Sequence, residues 1–338
     1  MRTTIKDVAK LAGVSPTTVS FVINNKSVSL SDETRTKVQN AIKALHYRPN
    51  QLAVGLVTNT TNTVGVILPD STNPFFALLA HHIETAMRQK GIAVIIGNTE
   101  GDPEITRKYL NIFSDRCLDG IILAQLDFDD ETETGKCQEL IQNLDTPIVF
   151  VDRITQDQKT SSIQVDQQAI GYLATKHLLS LGHTRIGCVS GSIGLKVNTC
   201  RYEGYQRALR EHGIEPDERL LYCGSLSIEC GCRALPYLLG QDVTAIFTFN
   251  DMIAYGIYKE CRNYNLTIPT DLSVVGVDDI QFSDILYPPL TTVAQPVESI
   301  AQYAVRHMLQ LIDNRRSVVT PIQLHPVLKV RGSTKSIL

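Results

Sequence analysis

The sequence predicts an α/β core of two doubly wound parallel-sheet subdomains behind a small all-α N-terminal segment, and three observations carry that expectation. First, 338 residues exceed one ordinary domain. Second, from about residue 63 onward short apolar runs alternate with helix-length amphipathic stretches. Such alternation marks strand-helix units, and runs that are continuously apolar mark strands covered on both faces. Third, the first fifty residues have helical periodicity, with start and stop signals for three short helices.

The N-terminal segment comes first in the chain. Thr4 stands three residues before Asp7, the spacing of an N-cap with a carboxylate at N3, and Val8, Leu11 and Ala12 share a face until Gly13 ends the turn. Ser15 caps a second helix with Pro16 at its first position, and Val19, Val22 and Ile23 follow at helical spacing. A third helix begins at Ser31, places Asp32 and Glu33 in its positively polarised first turn, and carries Val38, Ile42 and Leu45 inward before Pro49 stops it. Two helices joined through Ala12-Gly13-Val14 meet at a steep angle. This is a helix-turn-helix, whose second helix can enter a DNA major groove while the first braces it.

Charge agrees with that reading. The whole chain carries a net charge of -3, which by itself speaks against nucleic acid. Up to Asn50, however, eight basic residues stand against Asp7, Asp32 and Glu33, about +5. A basic end on an acidic body suits a DNA-contacting headpiece on a core that avoids DNA. Within the second helix, the hydroxyls of Thr17, Thr18 and Ser20 can reach phosphates or base edges, and Pro16 and Phe21 can touch thymine methyls.

Other classes are excluded or demoted. The start MRTTIKDVAK lacks a signal-peptide core, and no apolar run reaches the roughly 18 residues of a spanning helix, so a cytoplasmic chain without membrane contact is expected. Eight scattered cysteines contain no CxxC pair and read as reduced thiols, with neither metal nor cofactor. Asp278 and Asp279 are paired carboxylates, but there is no nucleophile elbow, no HExxH and no metal spacing to make an enzyme. The stretch Gly191 to Lys196 lacks the spacing of a phosphate loop.

The core strands are read at 64–68, 93–97, 120–124, 147–151, 185–190, 244–249 and 273–277. In open parallel sheets ligands lie beyond the carboxyl ends of strands. Those positions hold Asn73, Phe75 and Phe76, then Asp152 and Arg153, then Asn250 and Asp251, then Asp278 and Asp279. A sugar asks for this mixture: carboxylates that accept from hydroxyls, a guanidinium that donates to two, amides that do both, and aromatic rings over C–H faces. Asn250, Asp251 and Asp279 are equally good helix caps. Arg201, after the loop that follows the 185–190 run, can hold vicinal hydroxyls or a phosphate in two-pronged fashion.

TIKDVAKLAGVSPTTVSFVIN followed by YRPNQLAVGL resembles the headpiece and hinge of the lac repressor (LacI/GalR) family. The core resembles the same family, and through it the periplasmic sugar-binding proteins, at STNPFF, VDR, GHTRI, RYEGY, FNDMIAYG, VVGVDDI and PPLTTVAQP, in that order. The resemblance implies DNA contacts from Thr4, Ser15, Pro16, Thr17, Thr18, Ser20, Phe21, Asn24 and Tyr47, and from Asn50, Ala53 and Leu56 of a hinge that becomes helical on the operator. Leu56 would be wedged between base pairs in the minor groove. The implied effector pocket is Asn73, Phe75, Phe76, Asp152, Arg153, Arg201, Asn250, Asp278 and Gln295, similar to the set with which ribose-type binding proteins hold a pentose.

Val54 replaces a polar or basic residue common in the family, and Gly55 lowers helix propensity by roughly 1 kcal/mol. Phe21 stands where Arg or His is frequent, so operator sequences do not carry over. The resulting expectation is a headpiece at 1–47, a hinge at 48–61 and a core at 62–338, its N-subdomain about 62–165 and 295–322 and its C-subdomain about 166–294 and 323–338. The expected activity is repression from a near-palindromic double-stranded operator, as a homodimer without a leucine heptad tail, under a ribose-like monosaccharide. A purine or sugar phosphate is the alternative effector; a transport receptor or an enzyme is the alternative class.

Overall fold

The computed structural model describes residues 3–23, 30–47, 60–124, 126–152, 161–315, 317 and 319–338. It divides into two compact units, Met1–Thr61 and Asn62–Leu338.

In the first unit the helices are α1 (Ile5–Ala12), α2 (Pro16–Ile23) and α3 (Asp32–Ala44). The Asp7 carboxylate accepts from the Thr4 backbone N–H at 2.8 Å and from the Thr4 hydroxyl at 2.7 Å. Gly13 closes α1 in the left-handed conformation at φ 68°, which a residue with a side chain adopts only with strain. Ser15 Oγ accepts from the Thr18 N–H at 3.1 Å, and Ser31 Oγ from the Thr34 N–H at 3.2 Å. Val8, Ala9, Val19, Val22, Val38 and Ala41 form the core. Leu11 does not join it and is 56% exposed. At ~100° per residue the inner face of α1 centres between Ile5, Ala9 and Ala12, while Leu11 falls on the other side of Val8.

The second unit holds two six-stranded sheets. The first contains β1 (Thr63–Leu68), β2 (Ala93–Asn98), β3 (Gly120–Ala124), β4 (Ile148–Val151), β5 (Ser162–Val165) and β11 (Ile322–Leu324), in the order β11-β5-β4-β3-β1-β2. The second contains β6 (Ile186–Ser190), β7 (Leu221–Cys223), β8 (Ala245–Thr248), β9 (Ser273–Asp278), β10 (Thr291–Ala294) and β12 (Val327–Lys329), in the order β12-β10-β9-β8-β6-β7. Every neighbouring pair is parallel except β10 with β12. Helices α4 (Pro74–Arg88), α5 (Pro103–Asp115), α6 (Glu131–Gln142) and α11 (Val297–Asp313) go with the first sheet. Helices α7 (Gln167–Ser180), α8 (Lys196–Glu211), α9 (Ile228–Leu239) and α10 (Asp251–Cys261) go with the second.

The chain therefore crosses between subdomains after β5, after β10 and after β11. The last crossing lies between Leu324 and Val327, slightly beyond residue 322 where the sequence placed it. The run 93–97 also departs from expectation. Its strand β2 is a sheet edge, and Ile96 is 48% exposed. Continuous apolarity there marks an uncovered face, not burial on both sides.

Among the described residues, no helix is long and apolar enough to cross a membrane. None of the eight cysteines is in a disulfide.

Candidate ligand cleft and nucleic-acid interface

Arg201 is the centre of the cleft. It sits on α8, which packs on α7 through two glycines. A Cβ on Gly171 would lie 1.9 Å from the Arg201 carbonyl oxygen, and one on Gly204 would lie 2.0 Å from that of Gln168. Only residues without side chains let the helices approach this closely, and the approach brings Arg201 against Gln167. Arg201 Nε donates to Gln167 Oε1 at 2.8 Å, and its Nη1 donates to the Phe249 carbonyl at 2.5 Å. It is 4% exposed, so it is no surface salt bridge.

The network then spans both subdomains. Gln167 Nε2 donates to Asp152 Oδ1, at the end of β4, at 2.9 Å and reaches Gln295 Oε1 at 3.4 Å. Gln295 Nε2 donates to Asp278 Oδ1, at the end of β9, at 2.7 Å. Burial raises the Asp152 carboxyl to about 6, against the pull of Arg201. Asp278 is likewise raised to about 6 by burial, again opposed by Arg201. Both carboxylates stand at positive φ, 54° for Asp152 and 105° for Asp278. Strained backbone of this kind, outside glycine, concentrates where a side chain must be aimed.

Of the residues singled out in the sequence, Asn73, Phe75, Phe76, Asp152, Arg201, Asn250, Asp278 and Gln295 line one cavity. Arg153 lies outside the described residues. Phe75 and Phe76 meet edge to face at 5.1 Å. Asn73 caps α4 by accepting from the Phe75 N–H at 3.0 Å. Asn250 both caps α10, accepting from the Ile253 N–H at 2.9 Å, and donates to the Leu226 carbonyl at 3.1 Å. Capping and cavity lining thus coincide in one residue.

Asp251 and Asp279 are not part of the cavity wall. Asp251 is fully buried and accepts from Ser283 Oγ at 2.6 Å, Thr292 Oγ1 at 2.7 Å and the Ile280 N–H at 3.0 Å. Asp279 pairs with Lys329 and Arg331, each at 2.6 Å. The two adjacent carboxylates Asp278 and Asp279 therefore face different partners.

Gln167 is the residue sequence reasoning missed. It is 2% exposed and joins Arg201 to Asp152. Asn198 was also missed, although its spacing of three from Arg201 puts both on one face of α8 and was available as a signal.

The enclosed volume is about 40 Å3, on the order of one or two water molecules.

Comparison with known proteins places this architecture. The chain is 35% identical over 334 residues to the ribose operon repressor of Escherichia coli K12, covering 98% of this chain and 99% of the relative. The chain belongs to the lacI family of bacterial regulatory proteins. A family model of that description matches residues 4–50, and a periplasmic binding protein-like domain matches residues 175–334. This lacI-family chain is also 33% identical over 336 residues to the repressor PurR of Aliivibrio salmonicida, covering 99% of each. A crystal structure of the lac repressor dimer bound to operator and the anti-inducer ONPF matches with TM-score 0.87 at 27% identity, covering 99% of this chain and 100% of that one.

As a lacI-family member the protein is a DNA-binding transcription regulator, and the family match at residues 4–50 covers the three-helix unit. Ser15, which caps α2, and Pro16 and Thr17 at its start are exposed, and Thr18, Ser20 and Phe21 on it are half-buried. Thr4 is exposed at the start of α1, and Tyr47 packs partly on the three-helix core. Asn24, Asn50, Ala53 and Leu56 lie outside the described residues.

Proposed function

We propose that this lacI-family regulator is a dimeric repressor whose grip on a near-palindromic operator is set by a ribose-like monosaccharide bound between the core subdomains. The observation that carries the effector class is a buried guanidinium, Arg201, linked through amide relays to the buried Asp152 and the half-buried Asp278. Asp152 and Asp278 each offer oxygens to neighbouring hydroxyls, Arg201 offers donors to ring or hydroxyl oxygens, and the Phe75–Phe76 pair offers an apolar face. The likeness to a ribose operon repressor agrees with this chemistry.

The DNA side rests on the headpiece. The exposed hydroxyls at the N-terminal end of α2 suit phosphate and base-edge contact, and residues 49 to 57, outside the described residues, are proposed to link cleft and headpiece. Leu56 is the minor-groove wedge.

Dimerisation is supported by uncovered apolar surface on both subdomains. Leu78, Ile95 and Ile96 are exposed on the first, and Phe282, Ile285 and Tyr287 on the second, with Tyr287 at 98%. A bare edge strand with an apolar face requires a cover, and a second copy in two-fold symmetry supplies one.

A purine effector is the second reading, favoured by the likeness to PurR. Thermal-shift screening of the purified protein against monosaccharides, purines and sugar phosphates separates the two. A rise in melting temperature with a pentose supports the sugar; a rise with a purine alone contradicts it.

A further inference from the structure

A cavity of about 360 Å3 lies at the far end of the first sheet, away from the Arg201 cleft. Ile148 opens β4 and Ser161 stands just before β5, so the cavity sits at the amino ends of these strands, whereas Asp152 meets the cleft at the carboxyl end of β4. Two helix carboxyl ends complete the wall: Ile141 in the last turn of α6 with Leu144 just beyond it, and Leu311 in the last turn of α11 with Arg315 just beyond it. Helix α11 starts two residues after Gln295 and, at 17 residues, is about 25 Å long. The cleft and this cavity therefore stand at opposite ends of the same helix.

The wall is apolar inside and charged at the rim. Phe150, Leu311 and Val319 are buried, and Leu144 and Ile148 are half-buried. The buried Ser161 hydroxyl is bonded to His307 Nδ1 at 3.2 Å. Asp145 and Arg315 are the charged residues among the described lining residues, and both are exposed. Arg315 Nη1 donates to the Asp145 backbone carbonyl at 3.3 Å, which sets the guanidinium beside Asp145, yet the two side chains form no salt bridge with each other.

Unlike charges that stand together without neutralising each other select a ligand that carries both. A simple anion drawn to Arg315 meets the Asp145 carboxylate, and a simple cation drawn to Asp145 meets Arg315. A zwitterion satisfies both groups. Its carboxylate can take two parallel bonds from the guanidinium, and its ammonium group can take Asp145 while facing the negative ends of the α6 and α11 dipoles. An apolar side chain on the same molecule has Phe150 and Leu311 to cover it, in a volume within the ordinary range of small-molecule sites.

We propose that this cavity binds a free α-amino acid with a large apolar side chain, its carboxylate on Arg315, its ammonium group on Asp145 and its side chain against Phe150 and Leu311. The site is separate from the cleft, and the inference does not depend on which effector the cleft takes.

The test is calorimetric titration of the full chain with L-leucine, L-isoleucine, L-phenylalanine and L-tryptophan, beside the N-acetyl derivative and the decarboxylated amine of each. The expected result is binding of at least one of the four, with both of its single-charge analogues at least about tenfold weaker. Arg315→Gln and Asp145→Asn, both at exposed positions, should each weaken that binding by at least about tenfold with the melting temperature unchanged. No binding of any of the four at concentrations up to about 10 mM, an analogue that binds as tightly as its parent, or an affinity that either variant leaves unchanged overturns the inference. Each of those results leaves the sugar reading of the cleft standing, because that reading is tested with sugars and at Arg201.

Discussion

Arg201 and Asp152 never touch, yet Gln167 joins them by accepting from Arg201 Nε at 2.8 Å and donating to Asp152 at 2.9 Å. The relay ties α8 of one subdomain to the end of β4 of the other. Its geometry depends on the fork of the guanidinium, because a second nitrogen of the same group holds the Phe249 carbonyl.

Arg201→Lys should accordingly behave as a severe change. A lysine cannot serve Gln167 and Phe249 together, and each buried group left without its partner costs about 1–3 kcal/mol. A lower melting temperature and effector binding at least about tenfold weaker are expected from differential scanning fluorimetry and calorimetric titration. Unchanged values for both would remove Arg201 from the centre of the site.

Two glycine substitutions should have opposite signs. Gly204→Ala puts a methyl 2.0 Å from the Gln168 carbonyl, forcing α7 and α8 apart at a cost of about 1–3 kcal/mol or more and displacing Arg201. Gly135→Ala, in exposed α6 with nothing within 4 Å, should stabilise by roughly 0.5–1 kcal/mol through helix propensity. Urea titration of both variants checks the contrast, and equal effects would contradict it.

Proton linkage gives a pH signature. Burial holds Asp152 and Asp278 at about 6, above the unfolded value of 3.8. A raised carboxyl contributes stability that is fully present below pH 3.8 and lost as pH rises through about 6, because above that the charge is held at a cost. Hydroxyl donors from a sugar favour the charged form, so binding should release protons near pH 6 and tighten as pH rises from 5 to 7.5. Titrations in buffers of different ionisation enthalpy measure this directly; proton uptake on binding would be the wrong sign.

Thr17→Ala changes an exposed hydroxyl on α2. It should weaken operator binding severalfold by removing a phosphate or base-edge contact, with melting temperature and effector affinity unchanged. Fluorescence anisotropy with labelled duplex, beside a thermal melt, distinguishes this from a folding defect.

Much of this was legible in the sequence, for physical reasons that also explain the failures. Six of the seven long apolar runs became strands because burial between helix layers writes itself as continuous apolarity, and the seventh, 93–97, became an edge strand with an uncovered apolar face. The strands β5, β7, β10, β11 and β12 were not seen: SIQV, LYC, TTVA, IQL and VLK are three or four residues long and mixed in polarity. Missing β5 hid Gln167, which follows it and starts α7. Leu11 misled because it falls on the far side of Val8 from the inner face centred between Ile5, Ala9 and Ala12. Asn73, Phe75, Phe76, Asp152, Asn250 and Asp278 were found because they follow strands in a parallel sheet, where the topology leaves chain ends pointing into one crevice, whereas Gln295, behind the unseen β10, came only with the family resemblance. The Asp251 hydrogen bonds and the Asp279 ion pairs are contacts between distant segments, which no local pattern records.

Occupancy of the Arg201 cleft and operator binding are, in our proposal, coupled through residues 49 to 57. This coupling is tested most directly by measuring the affinity of the full chain for its operator duplex with and without saturating effector, at fixed salt. A shift of about 5- to 150-fold is expected, the size typical of coupling between two sites, and Arg201→Lys should lose it. The same operator affinity in both conditions, with the effector demonstrably bound, would contradict it.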